Sequence, residues 1–473
     1  MQRFICSWRL AAVTASAVAG VAVLAGPAWA APSAKTGGGW SAQTAISGIN
    51  QPDPTRGSQL NDVAINAAGQ AIAAWDQFSY SGSGSASIGA AVRSGGRWGT
   101  PFIISGTSGF AATPKVAVGA DGTMAVSWIF QDSSVIPARD SVQVAVRPSG
   151  SPVWTTSTLA SFTVGGVSVT RSAPVGIDAT GDVFAAWNVW DGTRNVVQAA
   201  TKPSGQGWSA PATLSGATAD GLYLSLAVNA RGDAAVAYTI SPYSGYQSGT
   251  WAEYVSRPAA TGTWSAPVKI SETISSSVGY VTSPVVALDG NGRATVIYLG
   301  NGLEATRQLV GGTWTKTPAT VITSPVPGAT YQSPDLAVDG KGNAVAAVAI
   351  FDPTINVDRS SVWVVRGTPD GAWTAQQRLT DPAVPVDAYA SRVAMSPAGG
   401  LALVGWIDHY HGVVQVSRLV NGAWGAPATI GKGTAWASFQ EVMGLDAGSD
   451  AVAAAIWKNA KTGTQTMASA FSG

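Results

Sequence analysis

Tryptophan recurs along this chain at a spacing that a repeat architecture explains. Copies stand at Trp40, Trp98, Trp154, Trp208, Trp264, Trp314, Trp373 and Trp424. The mean step from Trp40 to Trp424 is about 55 residues, within the range of propeller and solenoid units once loops are allowed for. Most copies follow Gly or a small residue and lead into Ser or Thr, a small residue and Pro. Trp208-Ser209-Ala210-Pro211, Trp264-Ser265-Ala266-Pro267 and Trp424-Gly425-Ala426-Pro427 are the clearest.

A second motif alternates with the first. It reads apolar-Ala-apolar-Asp-x-x-Gly, then an Ala/Val run that closes on an aromatic residue. Clear copies begin at Val175, Val286 and Leu336. Trp75, Trp128, Trp187, Tyr238 and Tyr298 each fall six residues after the motif glycine. Val348 takes that place in the sixth copy, and Trp406 and Trp457 take it with a slipped count in the last two. The segments are short, rich in Val, Ile and aromatic residues, and bounded by turn residues, which is the signature of strands. Asp289-Gly290-Asn291-Gly292 and Asp339-Gly340-Lys341-Gly342 are hairpin turns. Each repeat thus holds four strands, A to D, with the spaced tryptophan in D.

Two features select an architecture. Runs such as Ala344 to Ile350 are apolar throughout, which calls for burial on both faces of the sheet. Pro101, Pro211, Pro267 and Pro427 fall in strand D, and proline belongs on an edge strand because it has no N–H to give a ladder. The last repeat supplies strands A to C only, and Gly39 to Ser47 reads as an isolated strand D. The expected fold is therefore all-β: one closed β-propeller of eight four-stranded blades, its N-terminal strand completing the last blade.

Arg3 and Arg9, the apolar run Leu10 to Ala25 and the small-x-small triplet Ala28-Trp29-Ala30 read as a secretory leader over 1–30. The propeller would then occupy 31–473 after a short start at 31–38, in a secreted, extracellular protein with no membrane span once the leader is gone. The sole cysteine, Cys6, lies inside the leader. Disulfides, thiolate metal sites and cysteine nucleophiles are therefore excluded from the remainder. The net charge is +1 and only 11% of residues are charged, so no basic stripe marks a nucleic-acid partner.

The repeats resemble those of secreted bacterial propellers and, loosely, the sialidase and Asp-box class. Thr368-Pro369-Asp370-Gly371-Ala372-Trp373 comes closest to the Asp-box, but its spacing differs from Ser-x-Asp-x-Gly-x-Thr-Trp. The resemblance therefore implies a fold and carries no catalytic residue with it.

In a four-stranded meander the short A–B and C–D turns share one face. The variable B–C and D–A loops share the other, where binding is expected. Those loops are rich in aromatic residues, and Tyr80, Phe130, Trp190, Tyr246, Phe351, Tyr410 and Trp436 are the candidate ligand-binding residues. Asp408-His409-Tyr410-His411 holds both histidines of the chain. An extended His-x-His beside Asp suits a zinc or copper site, with Asp408, His409 and His411 as candidate ligands. The cations that end several C strands (Arg93, Arg147, Lys202, Arg257, Arg366 and Arg418) read as turn devices, and the Asp residues that open the A–B turns read as caps of those turns. No nucleophile elbow, phosphate loop or zinc-protease motif is present. No cofactor is expected. The expected function is a monomeric, non-catalytic propeller that recognises a glycan or an extracellular protein. The alternative is a glycan-active hydrolase or lyase with carboxylates at the channel mouth.

Overall fold

The computed structural model describes residues 44–46, 56–79, 85–106, 109–132, 134–136, 138–163, 173–216, 219–242, 249–275, 280–315, 317–324, 326–355, 360–384, 386–420, 422–432, 444–447, 451–458 and 465–472. The leader reading over 1–30 lies outside them. Among the described residues every regular element is a strand, and no helix is long and apolar enough to cross a membrane.

The third repeat shows the plan. Val175–Ile177, Val183–Trp190, Asn195–Lys202 and Ala212–Thr213 pair in chain order, each antiparallel to the last. The same A-to-D order runs from Ala219–Val228 to Val268–Lys269, from Thr282–Leu288 to Ala319–Ile322, and from Thr330–Val338 to Gln377–Arg378. The first two repeats follow it too, and a parallel bridge between Ala86 and Phe110 joins their sheets. In the last sheet Gly444–Ala447, Ala451–Lys458 and Gln465–Ser472 supply three strands. Thr44–Ala45 supplies the fourth, with Thr44 opposite Ser469. The architecture is all-β and propeller-like, and its N-terminal strand pairs with its C-terminal one.

The A strands follow one another. Arg56–Ile65 lies against Phe110–Val118, and this neighbour relation continues repeat by repeat to Ala388–Met395 against Gly444–Ala447. Gly444–Ala447 in turn lies against Arg56–Ile65. Burial grades outward from these strands. In Thr330–Val338 only Leu336 is fully buried, whereas its neighbour Ala344–Phe351 is buried at every position but the last. The B strand is covered on both faces, as its unbroken apolar run requires.

Packing sheets this closely calls for small residues with one large ring per layer. Ala185, Ala186, Ala235, Ala237, Ala346 and Ala347 supply the first, and Trp75, Trp128, Trp187, Tyr238 and Trp406 the second. A buried ring with a polar atom calls for a partner, and strand C supplies it for three of the five, Trp75 and Trp128 keeping a buried Nε1 without one. Trp187 Nε1 donates to Gln198 Oε1 at 3.2 Å, Trp406 Nε1 to Gln415 Oε1 at 3.0 Å, and Tyr238 Oη to Glu253 Oε2 at 3.1 Å. The sixth repeat exchanges the roles: Val348 on strand B stands opposite Trp363 on strand C. In the first repeat Gly89 stands opposite Trp75.

The outer strand differs in detail from the expectation. Pro101, Pro211, Pro267 and Pro427 sit immediately before the short ladders Phe102–Ile103, Ala212–Thr213, Val268–Lys269 and Ala428–Lys432. Trp208 and Trp264 lie outside any strand and pack onto the core clusters of their repeats instead. Proline interrupts the ladder, so strand D is split and the tryptophan is held by packing.

The A–B turns are built alike. The Oδ1 atoms of Asn66, Asp178, Asn229, Asp289 and Asp339 each accept two backbone N–H groups, two and four residues ahead, at 2.8–3.1 Å. Neighbouring turns touch. Asn66 Nδ2 donates to Gly119 O at 2.9 Å, and Asn229 Nδ2 to Asp289 O at 3.0 Å. The glycine that ends the turn is also needed for space. Gly232 has φ +84°, and a Cβ there would lie 2.7 Å from Asp178 Oδ2 of the preceding repeat. Of the cations that end the C strands, Arg93 serves such a turn, its Nη1 donating to Gly69 O at 2.8 Å, whereas Arg147 stacks on Trp154 ahead of the outer strand at 5.5 Å.

Gly89 provides a test of this packing. A Cβ at that position would lie 2.2 Å from Trp75 Nε1, and Trp75 is itself buried. Gly89→Ala is expected to cost about 1–3 kcal/mol through overpacking. Gly207→Ala, where a Cβ meets nothing within 4 Å, is expected to leave the denaturant midpoint unchanged. Equal midpoints for the two variants would contradict the packing described.

Candidate functional site

Strand A begins, and strand B ends, on the face that carries the variable loops. In the seventh repeat this brings Asp387, just ahead of Ala388–Met395, beside Asp408, which closes Ala402–Asp408. The B–C turn then places the two histidines differently. His411 Nδ1 lies 2.5 Å from Asp408 Oδ2, and the His411 N–H donates to Asp408 Oδ1 at 3.2 Å. Asp408 is buried, with 2% of its side chain exposed against 40% for His411. A buried carboxylate therefore fixes a ring that remains open to solvent. His409 turns to the other carboxylate: its Nδ1 is 3.8 Å from Asp387 Oδ2, and its N–H donates to Asp387 O at 2.9 Å.

Two phenols complete the group. Tyr389 meets His409 edge-on with centroids 6.1 Å apart, and Tyr410 meets His411 edge-on at 4.9 Å. Phe351 belongs to the same neighbourhood. It pairs with Ser360, and Ser360 forms a parallel bridge to Asp387. The structure thus gathers Phe351, Asp408, His409, Tyr410 and His411 at the seam of the sixth and seventh repeats.

The remaining candidates are dispersed or undescribed. Phe130 lies within Met124–Asp132, packed on the core of its own sheet and against Gly109, where a Cβ would lie 2.6 Å from the ring. It fills a gap between sheets. Trp190 ends Val183–Trp190 opposite Asn195. Tyr80, Tyr246 and Trp436 lie outside the described residues. As for the metal reading, the two imidazoles take different carboxylates, and no group of three metal-binding side chains occurs among the described residues.

Sequence reasoning missed Asp387, while Tyr389 belongs to the aromatic residues that it placed in the variable loops. Nothing in the local pattern distinguishes Asp387 from other loop aspartates, since its partner is a turn more than twenty residues away. Phe110 and Tyr280 are two more of those loop aromatics, and Tyr223 is one that the pattern did not single out. Phe110 opens its A strand, Tyr280 precedes one, and Tyr223 sits at the bulge in the middle of Ala219–Val228; each is 43% exposed. Conversely, Glu253 and Glu304 have structural duties. Glu304 accepts from Thr320 Oγ1 at 2.9 Å and 3.0 Å, and burial raises its carboxyl above the ordinary value.

Deeper along the A strands a second set of charges lies four residues ahead of the A–B turns, at Asp62, Lys115, Asp335 and Arg392. All four are half-buried. Asp335 bridges two repeats: its Oδ1 accepts from Leu336 N at 3.0 Å and its Oδ2 from Val393 N of the next repeat at 2.7 Å. Asp62 makes the equivalent pair with Val63 N and Val116 N, both at 3.1 Å. Burial raises the Asp335 carboxyl above its ordinary value. The Arg392 charge, the N–H groups of Val393 and Leu336, and the Lys115 charge oppose that rise.

No protein-family model matches the chain, and no curated protein matches it. Solved structures with similar coordinates include a protein of unknown function from Dyadobacter fermentans, at 10% identity and a TM-score of 0.45 over 92% of this chain and 99% of that one. Another is polysaccharide lyase Uly1, at 10% identity and 0.45 over 74% and 88%. A third is the α-L-arabinofuranosidase Arb93A of Fusarium graminearum, at 11% identity and 0.43 over 92% and 97%.

The Asp335 environment makes the stability pH-dependent in a known direction. A carboxyl raised in the native state holds its proton more tightly there than in the unfolded chain. Its ionisation therefore subtracts stability as pH rises from the unfolded value of about 3.9 through the native one. Removing Arg392 takes away the largest opposing influence. Arg392→Gln is expected to lower the urea midpoint near pH 7 and to change it little near pH 3, where Asp335 is protonated in both states. An equal loss at both pH values would mean that Arg392 acts by packing alone.

Proposed function

We propose that this chain is a glycan-active enzyme on a closed, eight-bladed β-propeller. In this reading its leader is removed on export, and its site opens at the variable-loop mouth between the sixth and seventh blades. The observation that carries the proposal is the pair of carboxylate–imidazole contacts, Asp408 with His411 and Asp387 with His409, flanked by Tyr389 and Tyr410. Cleaving a glycosidic bond requires a group that takes a proton and one that gives it, within reach of the same bond. Asp408 holds Nδ1 of His411, which leaves Nε2 as the ring atom for proton transfer. Tyr410 and Tyr389 supply hydroxyl groups beside the two rings. Asp387 adds a second carboxylate at the rim. The set suits hydrolysis by a carboxylate and an acid or elimination by an imidazole base and a phenol. Closure of the ring is supported by the pairing of Thr44–Ala45 with the last strand and by the contact of the eighth A strand with the first.

A second reading, binding without turnover, is favoured by a separate observation. Phe110 and Tyr280 are exposed at or just before the starts of their A strands, where rings can stack on sugars. In either reading the partner is an extracellular glycan and the protein acts as a monomer without a cofactor.

The test is a panel of neutral and acidic polysaccharides, read for new reducing ends and, separately, for the ultraviolet absorbance of unsaturated products. Turnover is expected, and His411→Ala and Asp408→Asn are each expected to lower it about 10²–10⁴-fold. Binding without turnover across the panel would replace this reading with the second. Turnover unaffected by both substitutions would move the chemistry away from the seventh blade.

A further inference from the structure

The arrangement at the seam of the sixth and seventh repeats recurs at another seam. In the first, Phe351 ends strand B, Ser360 opens strand C opposite it, and Ser360 bridges to Asp387 ahead of the next A strand. At the seam of the third and fourth repeats, Trp190 ends strand B and Asn195 opens strand C opposite it. Asn195 in turn meets Asp220 of the next A strand. Ring, polar side chain and carboxylate thus hold matching places at two seams three repeats apart. Both middle members are buried, Asn195 at 5% exposure and Ser360 at 3%. Both also keep a polar atom without a hydrogen-bond partner, Asn195 Oδ1 and Ser360 Oγ.

At the third–fourth seam the contacts are firm. Asp220 Oδ1 accepts from Asn195 N at 2.6 Å and from Asn195 Nδ2 at 3.1 Å. Asp220 Oδ2 makes no hydrogen bond or ion pair among the described residues. Residues directly opposite on paired strands share a face, so the half-buried Trp190 ring lies beside the Asn195 amide. The hairpin that joins the two strands is held by Asp191, whose Oδ1 accepts from Thr193 N at 2.8 Å and from Arg194 N at 3.0 Å. Arg194 Nη2 lies 3.5 Å from Asp191 Oδ2, so these two charges offset each other. What remains is an indole and two acceptors, Asn195 Oδ1 and Asp220 Oδ2, without donors. A buried acceptor left without a donor is costly.

We propose that this seam is a second sugar-binding site, which takes an uncharged pyranose. Such a ring stacks its C–H face on the indole of Trp190, and two of its hydroxyls donate to Asn195 Oδ1 and Asp220 Oδ2. Asn195 Oδ1 is enclosed, so the Trp190 ring shifts as the sugar seats. The hairpin from Asp191 to Arg194 carries no imidazole, so this site holds a sugar without cleaving it. The inference rests on the reading of the ligand as a glycan, and it adds an anchoring point three repeats away from the proposed chemistry.

Saturation-transfer NMR with D-glucose, D-galactose, D-mannose and D-xylose tests the site. It is run on the parent and on His411→Ala, in which the seventh-repeat site is disabled. At least one of the four sugars is expected to bind to both. Trp190→Ala and Asp220→Asn, each added to His411→Ala, are expected to weaken that sugar at least about tenfold. Asp220→Asn keeps an oxygen for both Asn195 N–H groups and turns the open acceptor into a donor. Trp190→Phe is expected to recover part of the loss. Binding that survives both substitutions, or that disappears in His411→Ala alone, would overturn the second site and leave the seventh-repeat reading standing. No binding of any of the four to the parent would overturn it as well, whatever turnover the polysaccharide panel shows. Stronger binding of D-glucosamine or D-glucuronate would overturn the uncharged class of ligand. Because the measurement reads no catalysis, its success alongside failed turnover would remove only the enzymatic reading.

Discussion

The structure depends on how one inner strand holds the next. Among the residues whose burial is described, the B strands are covered on both faces, so neighbouring sheets have few polar atoms left with which to set their relative position. Those atoms are concentrated at the inner strands. Carboxamides and carboxylates at the A–B turns cap their own turns, and Asn66 and Asn229 also reach the following turn. Asp62, Ser225 and Asp335 repeat the device four residues earlier along strands of the same series. Apolar stacking drives the sheets together, since it is strong and non-directional. The directional bonds at the inner edge decide how they align.

This division explains where chemistry has room to develop. The B strands cannot change without disturbing packing, because their small residues and single buried ring fill the space between sheets. The donors on three of those rings, Trp187, Trp406 and Tyr238, engage Gln198, Gln415 and Glu253. Freedom remains at the strand ends on the loop face. The Asp–His pairs occupy these ends, where the buried Asp408 carboxylate holds the His411 ring while part of that ring stays exposed.

Much of the architecture was legible in the residues. The alternating tryptophan and Asp-x-x-Gly motifs marked the repeats, and apolar runs marked strands covered on both faces. The missing fourth strand of the last repeat anticipated its pairing with Thr44–Ala45. The split of strand D was not legible, because the pattern cannot show that Trp208 and Trp264 are held by packing and not by a ladder. The candidate site was legible in part. Asp408, His409, Tyr410 and His411 stood out as a cluster in sequence, but Phe130 and Trp190, chosen for the same aromatic character, lie in other sheets.

What the sequence by itself determined is the periodic content: strand positions, turn chemistry, the ring on most B strands and the edge character of strand D. These depend on residues within one repeat, where a local pattern dictates local conformation. What only the tertiary structure decided is every relation between repeats. Asp387 finds His409, Asp335 finds Val393, and Lys115 comes within the electrostatic reach of a carboxylate more than two hundred residues away. Strand periodicity tells which face a side chain takes but not which strand it will meet. That is set by how successive sheets stack, and it is there that the acids, imidazoles and cations of this protein are brought together.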